Sequence, residues 1–300
     1  LGSHLIDNLI KKGENVLCID DLSTGNLNNL SHLMDKKEFI FLKHDIVNPI
    51  ISSIIIEKIW HLACPASPKI YQEDPLKTIR VNYEGTLNIL NLAKTHNSKI
   101  LFTSTSEIYG LTKINPQFEN MPINLSTFSP RACYSEGKRI AETLISSFRG
   151  EYKLDTKIAR VFNTYGPRLN FKDGRVIGNF ISQCSNEQKL TIYGDGSQTR
   201  SFCYVSDLVD GLLKLMNSNY FYPINIGNDE EISIIDLAYL IKNQINEEVF
   251  LEYQNLPIND PKLRKPSLEK AKKYLNWKPT VKLSEGLTQT INYYKNNLNR

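Results

Sequence analysis

Two periods of apolar residues alternate through the first half of the chain. LGSHLIDNLIKK sets Leu1, Leu5, Ile6, Leu9 and Ile10 at helical spacing. ENVLCIDD follows as a short apolar run that ends in Asp20 and Asp21, the pattern of a buried strand with a polar tip. FIFLKHD and KIWHLAC repeat it. Residues 75–96, with Leu76, Ile79, Leu87, Leu90 and Leu92 among their apolar positions, predict one long helix. KILFTSTS predicts the next strand, 134–148 a helix, and TKIARVFN a further strand. Strands alternating with helices imply βαβ crossovers and a parallel sheet covered on both faces. Ligands then bind beyond the carboxyl ends of the strands. That expectation lines up Asp20, Asp45, Ala63, Ser104 to Glu107 and Asn163 along one crevice.

After Gly166 the pattern changes. Loops rich in Gly, Asn, Arg and Tyr separate short strands (LTIY, FCYV, YPINIG) from helices (SDLVDGLLKLM, SIIDLAYLIKNQI, SLEKAKKYL). The predicted fold is α/β: a doubly wound parallel sheet over residues 1–165, then a smaller α+β lobe over 166–300. Pieces near 198–227 are expected to return to the main sheet. Composition narrows the class. A net charge of +4, with Lys and Arg scattered among the acids, gives no concentrated basic face for nucleic acid. No apolar run approaches the roughly 18 residues of a membrane span. The five dispersed cysteines form no C-x-x-C pair, which fits reduced thiols and a cytoplasmic setting. The histidines include no H-x-x-x-H pair, so no metal site is expected.

Two spacings carry candidate chemistry. Gly2 opens a helix and Asp20 ends the next strand, the separation at which a glycine admits a pyrophosphate and an acid holds a ribose hydroxyl. An acid there favours NAD over NADP, because a carboxylate repels a 2′-phosphate. Alone, Gly2 is equally an ordinary helix start. Tyr134 and Lys138 form Y-x-x-x-K, one turn apart on one helix face. An adjacent ammonium is expected to lower the phenol pKa and make Tyr134 a general base. This spacing is common, and by itself the bland reading would prevail. TSTSEIYG (103–110) changes the balance, since a hydroxyl at that strand end can share the substrate oxygen that Tyr134 deprotonates.

With HLACPASP (61–68), NYEGTLNIL (82–90), TSTSEIYG, PRACYSEGKRIAET (130–143), ARVFNTYGPR (159–168), DGRVIGNFI (173–181), YGDGSQTRSFCYVSDLVDGL (193–212) and LRKPSLEKAKKYLNWKP (263–279), the chain resembles the extended short-chain dehydrogenase/reductases. These are nucleotide-sugar epimerases, dehydratases and decarboxylases, and within the family the sequence is similar to the branch that decarboxylates UDP-glucuronate to UDP-xylose. The family carries G-x-x-G-x-x-G after a first central strand, and this sequence begins just before the last of those glycines, Gly2. A chain of these residues alone is therefore expected to fold poorly and bind NAD weakly.

The resemblance implies Tyr134 as base, Lys138 on the nicotinamide ribose and Thr105 as the hydroxyl partner. Asp20 and Asp21 would meet the adenosine ribose, and Asp45, Ile46 and Ala63 would line the adenine side. On the substrate side it implies Tyr71, in the loop after PASP, together with Glu107, Asn163, Arg168, Arg175, Tyr193, Arg200 and Arg264, with Arg200 at the diphosphate and Arg175 and Tyr193 at the uridine. Arg264 would steer the carboxylate or relay a proton to C5. Ser106 stands where the related 4,6-dehydratases keep an aspartic acid to protonate a departing hydroxyl. A serine is a poor acid, but decarboxylation needs none. Trp60 and Trp277 are assigned to packing, and a homodimer through the helices 75–96 and 134–149 is implied. Two other readings stay open: a 4-epimerase or dehydratase of the same fold, and a non-catalytic relative, whose signature would be loss of Tyr134 or Lys138.

Overall fold

The computed structural model describes residues 1–256 and 263–297. Helix α1 (Gly2–Lys11) leads into strand β1 (Val16–Asp20), which pairs in parallel with β2 (Phe39–Lys43). Strand β3 (Lys58–His61) is followed by α2 (Pro68–Glu73), α3 (Pro75–Arg80), a π turn (Val81–Gly85) and α4 (Thr86–His96). The long helix expected over 75–96 therefore runs its full length but carries a π turn at its centre. Strand β4 (Lys99–Thr105), helix α5 (Ala132–Tyr152) and strand β5 (Thr156–Val161) complete the first half.

Beyond β5 come β6 (Thr164–Tyr165), α6 (Val176–Ser185), β7 (Leu190–Tyr193), β8 (Thr199–Ser201), β9 (Cys203–Tyr204) and α7 (Val205–Met216). Then follow β10 (Ile224–Ile226), β11 (Glu231–Ser233), α8 (Ile234–Ile245), β12 (Leu251–Gln254), α9 (Glu269–Leu275) and α10 (Leu283–Asn297). The main sheet runs β10-β5-β4-β3, all parallel. The pair β1-β2 forms its own ladder. Among the described residues this ladder and the main sheet share no strand pairing. They are linked by side chains: Val16, Trp60 and Leu62 pack on one apolar cluster with Leu5 and Leu9 of α1 and Val209 and Leu213 of α7. Lys58 Nζ bonds Glu14 Oε1 at 2.9 Å across the same interval.

Strand β4 explains its own position: six of its seven residues are buried, the signature of a strand covered on both faces. One face packs on Leu90, Ala93, Ala141 and Ile145 from α4 and α5. The other packs on Leu208, Leu212 and Trp277. Helix α7 packs on the main sheet and β10 pairs with its strand β5, and Leu268, Ala271 and Leu275 of the α9 segment join the same cluster, which the apolar pattern did not suggest. Trp277 is 2% exposed and donates from Nε1 to the Asp207 carbonyl at 3.1 Å, so its packing role stands. A separate core gathers Phe180, Ile181, Ile192, Leu237, Ile241 and Leu287 in the second lobe. No helix among the described residues is long and apolar enough to cross a membrane.

The turn after β4 is fixed by Gly110, whose φ of 68° and ψ of −150° lie where only glycine sits without strain. A Cβ there would fall 1.7 Å from the Asn124 carbonyl oxygen, a backbone atom that cannot swing aside. Gly110→Ala is expected to lower the unfolding free energy by about 3 kcal/mol in urea titrations. Gly150→Ala, in α5 with open space around it, is expected to raise it by about 0.5–1 kcal/mol.

Candidate active site

A cavity of about 1660 Å³ opens at the carboxyl ends of β1, β4 and β5 and is closed on its far side by residues of the second lobe. Gly2, Asp20, Thr105, Ser106, Glu107, Tyr134, Lys138, Asn163, Arg168, Arg175, Tyr193, Arg200 and Arg264 all line it. Sequence positions from 2 to 264 thus converge because parallel strands deliver their tips to one edge.

Helix α5 presents Tyr134 and Lys138 from its first two turns, and both are buried. Lys138 Nζ donates to the Thr103 carbonyl at 2.9 Å and lies 4.5 Å from the Phe102 ring centroid. Burial holds its pKa below the ordinary lysine value. The phenol of Tyr134 departs from expectation. Its pKa lies above the ordinary tyrosine value, because burial dominates and Cys64 and Glu107 add to it. The Thr105 hydroxyl and Arg175 pull the other way, and a lowering by Lys138 is not among its principal causes.

Glu107 enters the cavity from the turn after β4, where its backbone N–H bonds the Thr105 hydroxyl at 3.2 Å. Its two carboxylate oxygens have separate partners. Oε2 accepts from the Tyr71 hydroxyl at 3.2 Å, and Oε1 faces Arg131 Nη1 at 3.4 Å. Next to it, Ser106 Oγ meets Arg264 Nη1 at 3.4 Å, with both residues buried. Arg264 is brought in by a strand-like segment in which Gln117 N–H bonds the Lys265 carbonyl at 2.7 Å. Arg175, at the N-cap of α6, pairs with the Asp173 carboxylate at 3.2 Å, while the Asp173 backbone carbonyl accepts from the Ser67 hydroxyl. Arg168 pairs with Asp7 at 2.8 Å.

Five expected site residues do not line the cavity. Tyr71 sits in α2 rather than a loop, fully buried, with its ring stacked on Tyr134 at 4.8 Å and 2°. It stands behind Glu107. Asp21 turns to Ser23 and to Lys77 Nζ at 3.0 Å. Asp45 accepts from the Val47 N–H of its own turn. Ile46 is buried in the core against Gly85, and Ala63 packs on the same cluster. Conversely, Arg131 and Cys64 line the cavity without having been singled out. Arg131 stands in PRACY, three residues before Tyr134, and that spacing was the available signal.

The fit to a dinucleotide can be read from the same cavity. Asp20 accepts from the Leu22 N–H at 2.7 Å, and a Cβ on Gly25 would lie 3.1 Å from its carboxylate oxygens. Gly2, at the start of α1, has open space where a side chain would stand. An acid at a strand tip beside a glycine at a helix N-terminus suits a ribose and a pyrophosphate.

The family model described as GDP-mannose 4,6 dehydratase matches residues 1–290. The chain belongs to that family, the extended short-chain dehydrogenase/reductases. Among curated relatives, this family member is 46% identical over 288 residues to UDP-glucuronic acid decarboxylase 3 of Arabidopsis thaliana, covering 96% of the chain and 84% of the relative. It is 45% identical over 298 residues to UDP-glucuronic acid decarboxylase 1 of the same plant, covering 99% and 68%. Among solved structures, it resembles UDP-glucuronic acid 4-epimerase from Bacillus cereus, in complex with UDP-glucuronic acid and NAD. The TM-score is 0.88 at 28% identity, covering 98% of this chain and 96% of that one.

His61, at the end of β3, supplies a pH test. Its Nε2 bonds Thr86 Oγ1 at 3.0 Å, and burial, with Lys138 nearby, pushes its pKa down to about 3. Unfolded, it would titrate near 6.5. Its contribution to stability is present above pH 6.5 and is lost as pH falls toward 3. Between pH 7 and 4.5, urea unfolding of the wild type is expected to lose about 2 kcal/mol more than that of His61→Gln.

Proposed function

We propose that this protein decarboxylates UDP-glucuronate to UDP-xylose with NAD as a recycled cofactor. The observation that carries the reading is the pair Ser106-Glu107 with Arg264 on the serine hydroxyl. The names of the relatives at 45–46% identity support it. Ser106 is not an acid, so the position at which the related dehydratases keep an aspartic acid offers no proton to a departing hydroxyl. Arg264 beside it offers a cation to a carboxylate.

When bound, NAD supplies a hydride acceptor at sugar C4 and returns the hydride at the end. Tyr134 accepts the 4-hydroxyl proton, and Thr105 hydrogen-bonds the same oxygen. Because the Tyr134 phenol starts high, its deprotonation relies on positive charge near it, and Arg175 is the cation that already pulls it down. Lys138, 6.0 Å from the Tyr134 ring, is placed for the nicotinamide ribose. With a ketone at C4, the C6 carboxylate is β to a carbonyl. The C5–C6 bond breaks, carbon dioxide leaves, and the electron pair moves to the C4 oxygen, where the Tyr134 hydroxyl stabilises it. Arg264 orients the carboxylate before release, and Glu107 borders the face on which C5 regains a proton. Asn163 and Arg200 hold the sugar diphosphate, and Arg168, Arg175 and Tyr193 take its nucleoside side. Asp20 receives the adenosine ribose; Asp21, Asp45, Ile46 and Ala63 stay behind it as the frame of that pocket. The boundary near 165 divides the cofactor half from the substrate half.

Leu76 is 72%, Ile79 43% and Tyr83 45% exposed on one helical face, with Ile140 of the neighbouring α5 at 40%. This apolar surface supports a homodimer built on these helices. Leu76→Glu with Tyr83→Glu is expected to convert it to monomer in sedimentation velocity.

Incubated with NAD and UDP-glucuronate, the protein is expected to yield UDP-xylose and carbon dioxide, and Tyr134→Phe to lower kcat by about 10²–10⁴-fold. Turnover of UDP-galactose or dTDP-glucose, with none of UDP-glucuronate, contradicts the reading.

A further inference from the structure

Arg131 has no role in the chemistry so far, yet its surroundings are specific. It stands at the first turn of α5, where its carbonyl accepts from the Tyr134 N–H at 3.1 Å and the Ser135 N–H at 3.0 Å. Its guanidinium reaches across the cavity wall to Glu107 Oε1. Tyr71 holds the other oxygen of the same carboxylate, and the Tyr71 ring lies flat against Tyr134. Glu107 is therefore tied to the Tyr134 position by two routes, one through the turn of α5 and one through the stacked rings. The Arg131 and Glu107 side chains are 23% and 15% exposed, so water screens the pair only partly.

We propose that Arg131 is a positioning residue, which with Tyr71 clamps the Glu107 carboxylate at a fixed place beside Tyr134. Two consequences follow from the geometry. The clamp sets the distance between Glu107 and the sugar ring held over Tyr134. It also balances the negative charge that Glu107 places near the Tyr134 phenol, a charge that opposes proton uptake from the sugar. An Arg rather than a Lys suits the task, because its planar fork keeps its direction when one N–H is engaged. Arg131 thus acts through Glu107 and not on the substrate. The proposal rests on the decarboxylase reading only for the identity of the sugar.

A double-mutant cycle on the holoenzyme tests it, using Arg131→Gln, Glu107→Gln and the two combined, with Arg131→Lys as the conservative variant. Carbon dioxide release from UDP-glucuronate is the readout. Arg131→Gln is expected to lower kcat by about 10–100-fold, the scale of a misplaced catalytic group, with KM unchanged within about threefold. Arg131→Lys should recover part of that loss. In the Glu107→Gln background, removing Arg131 should cost no more than about twofold, because the two act as a unit. A multiplicative loss in the double variant, or a raised KM with kcat intact, overturns the proposal, since Arg131 would then act on the substrate itself. Where Arg131→Gln lowers the melting temperature, the same cycle run with Arg131→Lys decides. A wild type that releases no carbon dioxide sinks the decarboxylase reading separately. The cycle is then read on 4-epimerisation of UDP-galactose with the same criteria.

Discussion

Lys138 carries its ammonium to a place where only 2% of the residue is exposed, and the surrounding strand tips are arranged to make that tolerable. One N–H goes to the Thr103 carbonyl, and the Phe102 ring faces the charge. Thr103 in turn donates from its hydroxyl to the His61 carbonyl at 3.3 Å. The tips of β3 and β4 and the first turns of α5 are thereby fixed to one another. His61, close enough to feel the ammonium, is kept neutral by it and by burial. Protonating it would set a second cation beside Lys138 at that depth, and the neutral imidazole instead engages the Thr86 hydroxyl.

The same tip then divides its labour over three successive residues. Thr105 faces the Tyr134 phenol, Ser106 meets Arg264, and Glu107 is held between Tyr71 and Arg131. A 3₁₀ turn from Ser106 to Tyr109 makes this possible, since an extended strand would send neighbouring side chains to opposite faces. Gly110 ends that turn in a conformation closed to other residues. The second lobe brings Arg264 and Arg200 to the cavity, so their placement depends on β11 pairing with β8 and on the backbone bonds between 117 and 265–267.

Much of this was legible in the chain. The alternation of periods predicted the parallel sheet, and the tips at Asp20, Ser104 to Glu107 and Asn163 do meet in one cavity, because strand direction alone determines where tips go. Side-chain direction was harder to read. Asp45 and Ile46 follow a strand tip as Asp20 and Asp21 do, but Asp45 caps its own turn and Ile46 fills the space under Gly85. Tyr71 was read as a loop residue and is instead fully buried in a short helix, where it acts on Glu107 from behind. Lys138 at one turn from Tyr134 suggested a lowered phenol pKa, whereas burial outweighs the neighbouring charge. Desolvation depends on everything packed around a group, which no four-residue spacing records. Arg131 was missed for a related reason: its partner lies 24 residues earlier, on another element.

The central claim is that the sugar is oxidised at C4, loses its carboxylate and regains a proton at C5. Turnover of UDP-glucuronate in deuterium oxide tests this directly by nuclear magnetic resonance of the product. The account predicts UDP-xylose with one deuterium at C5 and none at C4. A six-carbon product that keeps its carboxylate, or deuterium at C4, would contradict it.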